Sequence, residues 1–363
     1  MRFAGPLLLS SLTPLLAQQI AFTAERCKQL IEAFAVPTEA RAAAREFTGL
    51  GAAALPFVHR ALHDSRPLVV QWTLYATASL RCDLESLRDP IRALAKNKDP
   101  GIAIAAQQAW PAIDGKGRVL LADYQANQVL AFEGDESTTL FADLRMVMSA
   151  VPLLGGGHLV TVYGTNQVIE FDAKGEEVWA FGKTHEPSDA ERLPNGHTLI
   201  ADSGNQRVIE VDRAGDVVWS YEEKILPIDA DRLANGNTLI ANYNAGGAIE
   251  VDPSGKVVWQ FPGDNIRDAD RLLDGTTLLT LTDQKRVLLV DMAKQPLREW
   301  KFDFEPNDSE LLADGHLVAA GRGTVVEIDA NGEELWRCKI SFAGRVLRLG
   351  ARAEARPEPR SGK

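Results

Sequence analysis

A thirteen-residue phrase returns after forty residues. Asp189-Ala190-Glu191-Arg192-Leu193-Pro194-Asn195-Gly196-His197-Thr198-Leu199-Ile200-Ala201 is followed by Asp229-Ala230-Asp231-Arg232-Leu233-Ala234-Asn235-Gly236-Asn237-Thr238-Leu239-Ile240-Ala241. A third copy opens Asp268-Ala269-Asp270-Arg271-Leu272 and passes through Asp274-Gly275, and looser copies surround Gly117, Gly157 and Gly315. Trp179, Trp219, Trp259, Trp300 and Trp336 keep the same beat, at spacings of 40, 40, 41 and 36. A unit this short cannot enclose a core alone, so the copies must bury their apolar faces against one another.

Within a unit the apolar periodicity is two, which predicts strands. Residues 189–193 form a first strand, Asn195-Gly196 turns the chain into a second at 197–201, and further strands follow at 207–211 and 217–220. Asn-Gly tolerates the positive φ of a tight hairpin, and the Asp-x-x-Gly at Asp172, Asp212, Asp252 and Asp329 suits a type I turn. A four-stranded sheet every forty residues predicts a β-propeller. Six units fit between residues 111 and 350, so the expectation is a six-bladed ring. The first unit lacks room for its own innermost strand, whereas 342–349 is a spare apolar segment, so the C-terminal strand is expected to close the ring on the first unit.

Before residue 110 the pattern is helical. Apolar residues recur at three and four, with breakers at Pro37, Gly49-Leu50-Gly51, Arg66-Pro67 and Asp99-Pro100-Gly101. The expected division is therefore a leader at 1–17, a helical segment at 18–110, the propeller at 111–350 and a disordered tail at 351–363: an α+β multidomain chain, all-α then all-β. The leader expectation rests on one Arg, an apolar run from Phe3 to Leu16 and the small Ala17, and predicts an exported (periplasmic or secreted) protein. No later stretch is long and apolar enough to span a membrane. The formal net charge of −11 opposes nucleic-acid binding. Cys27, Cys82 and Cys338 allow one disulfide at most.

Several families resemble parts of this pattern. Leu199-Ile200-Ala201-Asp202-Ser203-Gly204-Asn205-Gln206-Arg207-Val208 resembles an NHL repeat, with a looser match at 121–130. The Asp-Ala-x-Arg-Leu-x-Asn-Gly-x-Thr-Leu-Ile phrase with a later Val-Val-Trp is similar to arylsulfotransferase-like and quinoprotein-like bacterial propellers. The early-proline helices and polar turns at 55–67 and 89–100 resemble HEAT repeats, with an unrelated helical bundle as the alternative. The arylsulfotransferase resemblance implies histidines just before the first-strand Asp, but Ser188, Ile228, Arg267 and Asn307 stand there. His185 in the preceding loop is the one weak catalytic candidate.

Asp189, Asp229 and Asp268, with Arg192, Arg232 and Arg271 three residues later, either line one channel mouth as a ligand ring or lock neighbouring sheets together. The loops at the other end of the strands gather Tyr124, Tyr163, Asp202, Asn242, Tyr243 and Asp283, polar and aromatic groups suited to a peptide, a sugar or a small acid. His158, His197 and His316 fall on separate hairpins, too far apart to share a metal. No metal site and no cofactor are expected. The leading expectation is a non-catalytic scaffold that uses the propeller mouth and the helical surface to bind a protein, peptide or glycan. A propeller enzyme of arylsulfotransferase-like or quinoprotein-like type is the alternative.

Overall fold

The computed structural model of the chain describes residues 14–80, 82–115, 118–133, 136–223, 225–244 and 246–349. Most of the expected leader and all of the expected tail lie outside these residues.

Six α-helices come first: α1 (Pro14–Ala33), α2 (Pro37–Thr48), α3 (Leu55–Ala61), α4 (Pro67–Ala78), α5 (Arg88–Leu94) and α6 (Pro100–Gly115). Prolines begin α2, α4 and α6, where the missing N–H costs nothing because the first turn has no intrahelical acceptor for it. Helix α6 carries on through Pro111, past the boundary expected at Trp110. The helices share one core built on Phe34, Phe47, Trp72, Leu74, Leu87, Ile91 and Trp110.

The remainder is strand. Four regular sheets span 147–181, 187–221, 227–261 and 266–301, each with its strands in chain order. In the second of these the strands are Pro187–Arg192, Thr198–Asp202, Arg207–Val211 and Val217–Tyr221, close to the sequence reading. Gly196, Gly236, Gly275 and Gly315 turn the first hairpin of successive units at φ between 83° and 88°, a region that costs an L side chain its Cβ clearance.

The fifth sheet overturns the six-bladed expectation. The 16-residue strand Glu334–Leu349 runs unbroken from the last repeat into the first. Its first part pairs with Leu317–Ile328, and its last part pairs with Arg118–Asp123 in the register Leu120 to Leu347 and Leu121 to Val346. The last and first repeats are thereby fused into one six-stranded sheet, and the propeller has five blades, four of four strands and one of six. Counting sequence periods missed this because a period marks a repeat, whereas a blade is a continuous hydrogen-bonded ladder.

The helices sit on the hairpin turns that follow the innermost strands. Arg41 of α2 forms a forked ion pair with Asp274, one arm at 2.7 Å, and donates to Thr276 Oγ1 at 3.0 Å. The Tyr75 hydroxyl donates to the Leu311 carbonyl at 3.0 Å, the Ala313 amide donates to Ser79 Oγ at 3.2 Å, and Leu154 and Leu273 pack on the helical core. These contacts join the helical segment to one end of the propeller and leave the opposite end to its loops.

Because strand Arg118–Asp123 has the C-terminal segment as its inner neighbour, deleting 342–363 leaves it an unpaired apolar edge. The truncated chain is expected to lose its cooperative β-sheet melting transition in circular dichroism. Melting like that of the full chain would contradict this closure.

Candidate functional site

In each blade the innermost strand faces the channel along one edge, and its outward N–H groups have no strand to pair with. The repeated acids meet that need. Asp229 Oδ2 accepts from the Ala269 amide of the next innermost strand at 3.4 Å, Asp268 Oδ2 from Ser309 N at 3.1 Å, and Asp308 Oδ2 from Val346 N at 2.5 Å. Two residues further along, Glu191 Oε2 accepts from Arg232 N at 3.1 Å and Glu310 Oε2 from Arg348 N at 2.5 Å. Each acid thus reaches sideways to the following repeat, a charge-assisted bond to a backbone donor that would otherwise be orphaned.

Eight carboxyl groups therefore share the channel wall: Asp189, Asp229, Asp268 and Asp308 at one level, Glu191, Asp231, Asp270 and Glu310 at the next. At the upper level Ser149 stands in the equivalent place of the sheet 147–181, paired with Thr161 as Asp268 is with Thr280. In the fused sheet that place occurs twice, as Asp308 on Pro306–Leu311 and as Arg345 on Glu334–Leu349, and the Arg345 guanidinium lies 2.8 Å from Asp189 and 3.7 Å from Asp229. Three of these acids, Asp189, Asp229 and Asp268, stand out in the sequence, and Arg345 does not. Its signal was an isolated Arg in the segment predicted to close the ring. The signal for the second level was Asp-x-Asp or Asp-x-Glu in every copy.

Crowding and withdrawal from water set the protonation of these acids. Burial, then the neighbouring Asp231, pushes Glu191 up to about 8. Burial raises Asp231 to about 7 against the opposing pull of Arg345, and burial lifts Glu310 to about 7 against its bond from the Arg348 amide. Asp229, Asp270 and Asp308 lie well above the ordinary carboxylate range, through burial first and like charge second. Asp229, Asp268 and Asp308, level with Arg345, are not all neutralised by it, and their crowded burial favours the protonated form.

Arg192, Arg232 and Arg271 do not join this cluster. Each bonds to a glutamate in the preceding blade: Arg192 to Glu170 at 2.6 Å, Arg232 to Glu210 at 2.9 Å, Arg271 to Glu250 at 2.8 Å. Each also covers the tryptophan of that blade, with guanidinium carbon to ring centroid distances of 4.9, 4.8 and 4.5 Å over Trp179, Trp219 and Trp259. Those indoles donate to the backbone of the next unit, Trp179 to Arg213 O at 3.1 Å, Trp219 to Pro253 O at 3.0 Å and Trp259 to Met292 O at 3.1 Å. A cation over an indole that is itself bonded across the seam explains why Arg and Trp recur at one period.

At the loop end of the strands, Asp202 is fully buried. It accepts from the His185 amide at 2.7 Å, Arg207 Nε at 2.8 Å and Asn205 Nδ2 at 2.9 Å. Asn242 accepts from Leu226 N at 2.8 Å in the same manner. These side chains hold the loops between blades. His185 itself is exposed, its backbone clamped by Asp202 and by Gly204 N at 2.8 Å. Asp283, also exposed, is bonded by Asn265 Nδ2. His197 and His316 pair with strand glutamates, Glu210 at 2.6 Å and Glu327 at 3.1 Å.

Tyr124 and Tyr163 do come together. Their rings meet edge to face at 5.9 Å, and Phe342 lies 5.6 Å from Tyr124. Arg267 covers Tyr243 at 4.8 Å. Burial, then a hydrogen bond with Glu186, pushes the Tyr163 phenol up to about 12. Beneath this rim a cavity of about 30 Å³, room for one or two waters, is lined by Met148, Ser188, Asp189, Arg267, Asn307 and Arg345, among others. Ser188 Oγ shares a hydrogen bond of 2.7 Å with Ser203 Oγ, and Asn307 Nδ2 donates to Ala343 O at 2.8 Å. Among the described residues no three His, Cys, Asp or Glu side chains are arranged to hold a metal ion, no two cysteines are joined in a disulfide, and no helix is long and apolar enough to cross a membrane.

Raised carboxyl pKa values mean that the folded state binds more protons than the unfolded chain, so their contribution to stability is full in acid and is lost as pH rises through about 7 to 8. Carboxylates held low by partners, such as Asp274 beside Arg41 and Glu46 beside Arg26, act in the opposite sense and lose theirs as pH falls below the usual carboxylate range. Thermal unfolding is therefore expected to show a maximum near the usual carboxylate range, about pH 4–5, and a decline from there to about pH 8 that Asp231→Asn makes shallower. A melting temperature that is flat or rises over about pH 5–8 would refute the protonated channel.

Comparison with known proteins agrees with this architecture. A protein of unknown function from Bacteroides caccae superposes with a TM-score of 0.55 at 16% identity, covering 64% of this chain and 98% of that one. A chain of a nidogen/laminin complex does so at 0.55 and 11% identity, covering 65% and 99%. Virginiamycin B lyase from Staphylococcus aureus reaches 0.47 at 14% identity, covering 62% and 81%, and carries no argument here. At these identities the likeness is one of fold. No curated protein matches the sequence. The family model described as outer membrane protein assembly factor BamB (PQQ_2) matches residues 127–338, more than half of the chain and nearly all of the ring that the acids, arginines and tryptophans hold together. The chain belongs to this BamB-type propeller family.

Proposed function

We propose that the protein is a non-catalytic binding scaffold whose loop-end mouth receives a partner protein. The observation that carries this reading is the one-sidedness of the ring. Arg41, Tyr75 and Ser79 fasten the helical segment across the turn end. The loop end instead presents Tyr124, Tyr163, Phe342, Tyr243 and Arg267 as a partly exposed rim above a polar neck. Aromatic and Arg side chains around a polar depression are the composition of a protein-recognition hot spot. Membership of a family named for an assembly factor favours a protein partner over a sugar or a small acid. The repeated arginines contribute rigidity to this mouth rather than contact, because each is spent in a seam between blades.

Two finer readings accompany it. The leader-like residues 1–17 make this an exported protein, and the helical segment, read as HEAT-like, offers a second surface beside the propeller. Photo-crosslinking in the source organism tests the mouth. A photoreactive residue at Tyr163 or Tyr243 is expected to capture the same protein reproducibly, while one at Val218 on an outer strand does not. Identical capture patterns at all three positions, or none at the mouth, would refute the reading.

A further inference from the structure

Strand Ile266–Arg271 puts an arginine where its counterparts put an uncharged group. The residue just before the channel acid, or before Ser149 and Arg345 in its place, is Met148, Ser188, Ile228, Arg267, Asn307 or Gly344, and all six line the cavity. The cavity is therefore centred on the ring axis, and Arg267 is the one charged member of that tier. Its guanidinium lies over Tyr243, 4.8 Å from the ring centroid, and its Nε is buried and donates to nothing. Arg232, Arg286 and Arg348 also leave Nε open, but each holds a carboxylate on an outer nitrogen, at 2.9, 3.0 and 3.5 Å. Arg267 has no carboxylate partner among the described residues. A guanidinium left open beside a cavity is a site short of an acceptor.

Charge says which acceptor. Of the carboxyls that line the cavity, Asp189 is matched by Arg345 at 2.8 Å, while burial and then neighbouring acids favour the protonated forms of Asp229 and Asp308. One positive charge is left over. A carboxylate brings one negative charge and two oxygens spaced for the guanidinium fork. A phosphate dianion would set a second negative charge beside Asp189 and above the next level of acids, at a Coulombic cost the carboxylate avoids. Tyr243 restrains the fork in advance, so less side-chain freedom is lost when an anion binds.

We infer that Arg267 receives a carboxylate at the axial cavity, presented by the partner protein as an acidic side chain or a chain end. This rests on the scaffold reading and names the chemistry of what enters the mouth.

NMR titration of the full chain, followed at the Arg267 Nε–H and at the Gly344 amide, tests it. The probes are N-acetyl-glutamate α-methylamide for a side chain, N-acetyl-glycine for a chain end, N-acetyl-glutamine methylamide as the neutral control, and sodium phosphate. At least one carboxylate is expected to bind saturably at about millimolar concentration, with the neutral amide and phosphate roughly tenfold weaker. The tighter carboxylate tells side chain from chain end. Arg267→Gln is expected to weaken the carboxylates by about tenfold, read at Gly344. Should that variant fail to fold, Tyr243→Leu, which removes the ring under the guanidinium, is expected to weaken them by about threefold. Equal binding of the glutamate and glutamine amides, unchanged binding in the folded variant, tighter binding of phosphate, or no saturable shift with either carboxylate would overturn the inference. Capture of a partner at Tyr163 without carboxylate binding would remove this inference alone. Carboxylate binding without capture would remove the scaffold reading and leave the anion site.

Discussion

A ring of sheets has an inner edge that no further strand can pair with, and everything distinctive about this protein follows from how that edge is satisfied. Around the channel the free amides of one innermost strand are met by carboxylates of the preceding repeat, Asp229 to Ala269, Asp268 to Ser309, Asp308 to Val346. The same acids that bind the ring together bring more negative charge into it than Arg345 can balance, so the channel stores protons and carries the pH dependence of the fold. The outer part of each seam is held by different means: an Arg bonded to a strand glutamate and laid over a tryptophan. Inner and outer locks repeat at the same period because both join neighbouring repeats.

That division of labour decides where recognition can occur. Residues that recur in every repeat are occupied with neighbours, and the helical segment occupies the turn end. What remains is the loop end, and there the side chains vary from repeat to repeat: Tyr124, Tyr163 and Tyr243 follow the second strand of their repeats where Ser203 and Thr282 stand in others, and Arg267 stands where the others hold Ser188, Ile228 and Asn307. Arg345, where the acid ring breaks, lines one cavity with Arg267. Ring closure by the C-terminal strand is what places Arg345 there, so one structural event creates both the fused sheet and the irregular neck.

Much of the architecture was legible because repetition averages out local ambiguity. Strand positions, hairpin glycines and the pairing of 343–349 with 118–123 could all be inferred from spacing. The number of blades could not, since nothing in the period reveals that Glu334–Leu349 runs on as one strand. The roles of Asp and Arg were legible only as alternatives. Sequence places Asp189 and Arg192 on one strand three residues apart, which suggests partners, but strand geometry turns them toward different neighbours, Asp189 to the channel and Arg192 to the seam. The site was the least legible part. Tyr124 and Phe342 are more than two hundred residues apart, and only closure of the ring brings them within 5.6 Å.

The central claim is that carboxyl groups of one repeat hold the inner-edge amides of the next. Amide hydrogen exchange, read residue by residue by NMR, tests it most directly. Ala269, Ser309 and Val346 are predicted to exchange as slowly as the amides within the sheet ladders, and Asp268→Ala to speed Ser309 selectively while the ladder amides of the same blade stay protected. Fast exchange at these three amides in the unmodified chain, or a Ser309 amide indifferent to loss of Asp268, would contradict the account.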